Sequence, residues 1–310
     1  MEFGVFLPVS GRAASAVLAD AARSAEKLGF DAVWAADRLI IPWEIRTPYR
    51  YSTSGEFIVP PDRPFLEPLT CLAYLAGCTR RIRLGVSVLV LPYRPPLYWA
   101  KAVTSIDHLS RGRFILGVGA GWMVEEFEAL QVPFSERFKR THEQLRLLDT
   151  LWNDDRCTFE GKYHRFKDIA FFPKPLQRPR VPIWMGGERG PAQRRAGRYG
   201  DGWFPYFVRV TPSELAARFE NVRRAAREAG RDADRISLNC CLPIEVTREA
   251  VRQEEGKLAG TPEQLCEAID GFRRVGVSHL GLQFMVPRWP ERQEQIDRFA
   301  RHVIPALRTR

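Results

Sequence analysis

Residues 113–127 read RFILGVGAGWMVEEF. An apolar run from Phe114 to Leu116 enters three glycines at alternate positions, Gly117, Gly119 and Gly121, and acidic residues follow. The run fits a strand buried on both faces, and the glycines fit a tight strand-to-helix turn. They are not the dinucleotide fingerprint, whose third glycine falls one residue later. The first strand–helix turn, LPVSGRAAS, carries no Gly-x-Gly-x-x-Gly either. On the motif alone, a turn explains the glycines as well as a nucleotide does.

Outward from this stretch the same strand-then-helix pattern recurs. Strands are expected at 3–7, 32–35, 82–91, 113–118, 182–185, 202–205, 236–243 and 279–285. Helices are expected at 13–28, 65–78, 96–109 and 136–152, among others. In the last of these Phe138, His142, Leu145, Leu148 and Trp152 fall on one face. Gly29 stands where a glycine ends the first helix. Strands alternating with helices predict a parallel sheet covered by helices. Eight such units in 310 residues fit an α/β fold, a (β/α)8 TIM barrel forming one domain over 1–310. A doubly wound open sheet is the rival. Two insertions stand out. Residues 37–64, after the second strand, read as a loop over the barrel mouth. Residues 157–181, before the fifth, read as a hairpin around Glu160-Gly161 and a Pro-rich connector.

Composition narrows the class. Hydrophobic residues make up 45% and charged residues 27%, as in an ordinary globular chain. MEFGVFLPVS has neither the basic start nor the cleavage site of a secretory signal, and no apolar run is long enough to span a bilayer. A cytoplasmic protein is expected. The six cysteines form no Cys-x-x-Cys pair and the five histidines are scattered, so neither a disulfide framework nor a zinc site is expected. The formal charge of +10 is spread along helices, as in RRAGR at 194–198 and RRAAR at 223–227, and no nucleic-acid module is present. A solvated arginine-rich surface is the plain reading; a field that collects an anionic small molecule is the sharper one.

In a barrel, function sits at the C-terminal ends of the strands. Asp37 and Arg38 follow the second strand, with Trp43 beyond them. Pro92, Tyr93 and Arg94 follow the third, Gly119, Gly121 and Trp122 the fourth, and Gly186, Gly187 and Glu188 the fifth. WFPYF and VPRWP follow the sixth and eighth. These edges, rich in Gly, Trp, Tyr and Arg, suit a planar aromatic ligand with an anionic tail. Gly186 and Gly187 precede a helix N-terminus, where free N–H groups and the helix dipole favour a phosphate. Acid–base candidates are Asp37, Glu56, Glu67, Glu125, Glu126 and Glu188, with Asp37 best placed because it ends a buried strand. Glu125 and Glu126 also suit a helix start. No Ser-His-Asp or Cys-His arrangement supports a hydrolase.

Together GFDAVWAADRL (29–39), RIRLGVSVLVLPYRPP (81–96), the segment LSRGRFILGVGAGW through RLLDTLW (109–152), PIWMGG (182–187) and AGRYGDGWF (196–204) resemble the bacterial luciferase-like monooxygenase family, and within it the branch using the deazaflavin coenzyme F420. The resemblance implies a TIM barrel with an isoalloxazine-like ring in its C-terminal mouth. It also implies a non-prolyl cis peptide in the third strand, between Ser87 and Val88, against the back of the ring. Asp37 would approach the deazaflavin. Gly186 and Gly187 would lie at the phosphate, Glu188 would also bind the cofactor, and Gly119, Ala120 and Gly121 would lie on the pocket floor. Arg38, Trp43, Tyr93 and Trp122 would face substrate, with Arg38 and Trp43 the catalytic candidates.

Two departures carry information. Sugar-phosphate dehydrogenases of this branch have a histidine after the aspartate and a glutamate after the third glycine; here Arg38 and Trp122 stand there. FMN-using relatives place a phosphate-binding arginine where this chain has Ala120. The expectation is an F420-dependent oxidoreductase transferring a hydride between the deazaflavin carbon C5 and a small organic substrate, without metal and as a homodimer. The alternatives are an FMN-dependent monooxygenase and a barrel that binds a cofactor without catalysis.

Overall fold

The computed structural model describes residues 1–11, 14–52, 54–57, 59–286 and 288–309. Ala13, the expected start of the first helix, therefore lies outside the described residues, as do positions 53 and 58 of the long loop and Pro287 of VPRWP.

β1 (Glu2–Phe6), α1 (Ala14–Lys27), β2 (Ala32–Ala35), α2 (Pro68–Cys78), β3 (Arg83–Val90), α3 (Pro96–Leu109) and β4 (Phe114–Gly119) form the first half. After β4 come α4 (Val124–Ala129) and α5 (Arg137–Asn153), then a hairpin of β5 (Arg156–Glu160) and β6 (Arg165–Ala170). The second half runs β7 (Ile183–Met185), α6 (Gly190–Tyr199), β8 (Gly202–Trp203), α7 (Pro212–Glu228), β9 (Ser237–Val246), β10 (Leu258–Gly260), α8 (Pro262–Arg274), β11 (Val277–Phe284) and α9 (Trp289–Arg308).

Eight parallel strands close in the order β1-β2-β3-β4-β7-β8-β9-β11, because β8 pairs with β9 and β11 returns to β1. This is a TIM barrel. All eight expected strands are present. β10, which the sequence reading missed, adds in parallel to the C-terminal end of β9 beyond the short β8. β5 and β6 pair antiparallel, apart from the barrel.

Local chemistry sets the helix limits. Thr211 and Glu214 exchange hydrogen bonds in a capping box before α7, with Pro212 in the first turn, and Thr261 with Gln264 does the same for α8. Gly29 ends α1 at φ +85°, where its N–H and that of Phe30 return to the carbonyls of Glu26 and Ala25.

The barrel interior is plugged by aromatic rings. Trp34 of β2 is fully buried and packs on Trp184 and Phe204, with centroids 5.3 and 4.5 Å away. Gly4 and Gly85, on the neighbouring strands, make room for it: a Cβ at either position would lie 2.2 Å from the indole. The indole N–H donates to His279 Nε2 at 3.1 Å, and His279 Nδ1 lies 3.3 Å from the Glu2 carboxylate. Phe6 and Phe204 complete this plug and are also the floor of the cavity above it. No helix among the described residues is long and apolar enough to cross a membrane.

Candidate active site

A cavity of about 1730 Å3 opens at the C-terminal ends of the strands. Asp37, Arg38, Ser87, Val88, Gly119, Ala120, Gly121, Trp122, Gly186, Gly187 and Glu188 all line it. Two expected residues do not. Trp43 is 81% exposed on the insertion loop, outside the cavity wall. Tyr93 is buried behind the wall, because the turn after β3 points its ring at Phe127 rather than into the mouth.

The Ser87–Val88 peptide is cis. It lies where the β3–β4 register slips, between Val86 and Leu89. The bulge explains the glycines. A Cβ at position 119 would sit 2.4 Å from Val88 Cγ2, one at 186 would sit 2.8 Å from Val88 Cγ1, and one at 117 would sit 2.0 Å from the Val86 carbonyl oxygen. Gly117 and Gly119 are thus required first by the neighbouring strand. Gly121 differs, since its φ of +81° is one that side chains disfavour.

The carboxylates are engaged. Asp37 accepts both Arg94 guanidinium arms, at 2.7 and 2.9 Å, and the Val90 N–H at 2.9 Å, and its side chain is fully buried. Burial alone would depress the Arg94 guanidinium, yet Asp37 and Glu67 hold it above its ordinary value. Glu67, besides binding Arg94 at 2.9 Å, caps α2 through the Thr70 N–H. Glu126, fully buried, accepts from Arg38 Nη1, from the Tyr93 hydroxyl at 2.9 Å and from the Leu39 N–H at 3.0 Å. Burial, then Glu126, pushes the Tyr93 hydroxyl well above the usual tyrosine range. The Arg38 guanidinium packs against Phe57 and Trp122, 5.0 Å from each ring. Arg38 is therefore a charge-compensated element of the wall.

The loop after β2 is fastened across the mouth. Glu125 accepts the N–H groups of Arg46 and Thr47, at 2.8 and 3.0 Å, and the Thr47 hydroxyl at 2.8 Å. The two acidic residues after β4 thus hold a distant loop and the Arg38 charge, beyond any effect on α4. At the other side the Tyr51 hydroxyl donates to Glu188 at 3.0 Å. Between these anchors Tyr49, Phe57 and Trp122 form a ring cluster, with Tyr49–Trp122 centroids 4.9 Å apart, and Tyr51 meets Tyr206 at 5.6 Å.

Beside Gly186 and Gly187 lies a feature the sequence reading assigned to solvated surface. Arg195, in RRAGR, is 7% exposed and its Nε has no hydrogen-bond partner among the described residues. Burial, then Arg137 and Arg194, pushes its guanidinium down to about 10. Arg137 also lines the cavity, its Nε is likewise unpartnered, and burial followed by Arg50 lowers it. Arg195 and Arg137 stack on Phe138 at 5.0 and 4.0 Å. Arg195 is buried and Arg137 half-buried, and among the described residues neither has an ion-pair partner, an arrangement chemically suited to an anion. The signal was present in the sequence: position 195 falls on the face of α6 that buries Ala192 and Ala196. No group of three or more histidine, cysteine, aspartate or glutamate residues among the described residues could hold a metal.

The profile of the family described as luciferase-like monooxygenase matches residues 1–255. The chain belongs to that family. Among its relatives, the phthiodiolone/phenolphthiodiolone dimycocerosates ketoreductase of Mycobacterium tuberculosis is 32% identical over 307 residues, covering 91% of this chain and 76% of the relative. The FMNH2-dependent dimethylsulfone monooxygenase of Pseudomonas putida is 29% identical over 290 residues, covering 78% of each chain. Among solved structures, an F420-dependent secondary alcohol dehydrogenase bound to an F420–acetone adduct superposes with a TM-score of 0.79 at 22% identity, covering 99% of this chain and 98% of that one. This luciferase-like chain therefore sits among oxidoreductases that use either cofactor.

Proposed function

We propose that the protein is an F420-dependent oxidoreductase acting on a small organic substrate at the barrel mouth. The observation that carries this reading is the charge of the wall. Nine arginines and lysines line it among the described residues; Arg38, Arg189, Arg209 and Lys257 pair with carboxylates, whereas Arg137 and Arg195 form no ion pair with any described residue. Such an excess matches a coenzyme carrying a phosphodiester and a polyglutamate tail better than one with a single phosphate. Arg137, Arg195 and the first turn of α6 would hold the phosphate, and the Ser87–Val88 bulge would back the ring. When bound, F420 supplies a two-electron hydride donor or acceptor. The protein's own part is to orient and to exclude water. The Arg38–Glu126–Tyr93 network keeps the wall rigid beside the ring cluster, and the Tyr51–Glu188 bond keeps the loop over the mouth. The missing histidine and glutamate of the sugar-phosphate dehydrogenases argue against a sugar-phosphate substrate.

A second reading, an FMN-dependent monooxygenase, is favoured by one observation. Arg137 and Arg195 supply guanidinium partners for a phosphate even though position 120 is alanine, so Ala120 does not by itself disfavour FMN. Titrating the purified protein with F420 and with FMN, followed by fluorescence, separates the two. The expected result is a micromolar or tighter F420 complex and oxidation of reduced F420 by a ketone, enone or imine. Tight FMN binding with no affinity for F420 would overturn the proposal.

A further inference from the structure

We propose that the cavity holds a second anion subsite, at Arg292, and that the substrate is a carbonyl compound bearing a carboxylate that this arginine receives. The inference rests on the reading of the cavity as an oxidoreductase site and names the class of molecule that site takes. Small-molecule sites occupy roughly 300–1,000 Å3, whereas this cavity holds about 1730 Å3. There is room for a second molecule beside a cofactor head.

Arg292 lies in the first turn of α9, after β11, and lines the cavity. In the barrel order β11 stands four strands from β4 and three from β7, so Arg292 meets the mouth from the side opposite Arg137 and Arg195. It is half-buried, and its Nε donates to the Val286 carbonyl at 2.8 Å, which fixes the guanidinium. The two terminal nitrogens bond no described residue, and Arg292 forms no ion pair with any of them. Arg94 makes the contrast. There two carboxylates raise the guanidinium against burial; at Arg292 burial acts unopposed and lowers it. The carboxylates on this side are occupied or outlying. Arg209 and Lys257 share Glu254, Arg288 takes Glu291 at 3.2 Å, and Asp62 and Glu245 are exposed. Arg63, also on the wall and in no ion pair with a described residue, adds to the same sign.

A half-buried guanidinium with two free arms is a planar fork that a carboxylate matches in two parallel bonds. Left unpaired, it loses hydration without return. A carboxylate carries the single charge that one arginine neutralises, whereas Arg137 and Arg195 together suit a phosphate. Gln283, half-buried on the same wall, bonds no described residue through its side chain and offers a neutral donor to the same anion. Between the two subsites the floor is the neutral pair Phe6 and Phe204, so charged groups settle at the ends and the carbonyl lies between them.

Calorimetric titration of the cofactor-free protein with 6-oxoheptanoate and with its methyl ester is the test. The acid is expected to bind about tenfold more tightly than the ester, and added salt should narrow the gap. Arg292→Gln keeps an N–H for the Val286 carbonyl and removes the charge; it should abolish the preference and leave the ester unchanged. Arg292→Lys keeps the charge and loses the fork, and should cut the preference about threefold. Arg195→Met should retain the preference in full. Equal binding of acid and ester overturns the proposal, as does failure of the acid to bind or a preference that survives Arg292→Gln. So does a preference lost in Arg195→Met, which would put the acid at the cofactor's anion subsite. Should Arg292→Gln not fold, an undiminished preference in Arg292→Lys overturns it equally. F420 is titrated separately, and Arg292→Gln should bind it as the natural chain does. Failure of the cofactor reading and failure of the subsite therefore show in different measurements.

Discussion

Asp37 and Arg94 face each other in two parallel hydrogen bonds of 2.7 and 2.9 Å, inside a wall where the aspartate side chain has no exposure at all. The aspartate just beyond the second barrel strand is thereby committed to holding the chain after the third. Removing one partner of a buried ion pair leaves the other charge stranded, at a cost of about 3–5 kcal/mol. Asp37→Asn is expected to lower stability by that order in urea denaturation, and pairing it with Arg94→Leu should recover part of the loss. Loss of turnover in Asp37→Asn at unchanged stability would instead place Asp37 in the chemistry.

A methyl at position 119 would meet Val88 Cγ2 at 2.4 Å. Gly119→Ala is expected to destabilise the fold by about 1–3 kcal/mol, as overpacking does. Adding Val88→Ala should restore at least half of that, since residues in contact do not act additively. Simple additivity in a denaturation cycle would show that the glycine serves something other than the bulge.

Arg195 trades stability for binding. Its buried guanidinium, whose Nε has no hydrogen-bond partner among the described residues, is repelled by Arg137 and Arg194. Arg195→Met should raise the melting temperature of the cofactor-free protein and weaken the phosphate-bearing cofactor at least tenfold. A variant that melts lower and binds cofactor as before would remove Arg195 from the anion site.

His279 gives the fold a pH dependence. Burial depresses its basicity, with Glu2 opposing and Arg83 assisting, so the folded chain holds the ring neutral, its Nε2 accepting from Trp34. The unfolded chain takes up a proton near pH 6.5. Stability is therefore fully present above that pH and falls as the pH drops toward the lower folded value. Comparing urea midpoints at pH 7.5 and 5.5 should show the loss in the natural chain. His279→Gln should lack that part of it, and an equal loss in both would assign it elsewhere.

The barrel was legible because its strands are apolar runs separated by helical periods, and periodicity survives without tertiary information. β10 was not, since Leu258–Gly260 has three residues and exists as a strand only because β8 is too short to cover the end of β9. The Ser87–Val88 cis bond was legible only through the family resemblance, while Gly186 and Gly187 were marked by their place between a strand and a helix. The site was illegible where side-chain direction decides. Trp43 and Tyr93 stand beside the site in sequence, yet one points to solvent and the other behind the wall. Arg195 was hidden by its neighbours: in an arginine-rich segment only the helix phase distinguishes the buried one.

The loop fastened by Glu125 and Glu188 has a consequence for anyone recombining parts of related barrels. Its anchors are Glu125, in the first turn of α4, and Glu188, in the loop after β7, beside segments that also line the cavity around the bulge and the arginines. A graft that moves residues 46–57 alone would arrive without its fastenings. The transplantable unit is the loop together with both glutamates, a module discontinuous in sequence and continuous only in space.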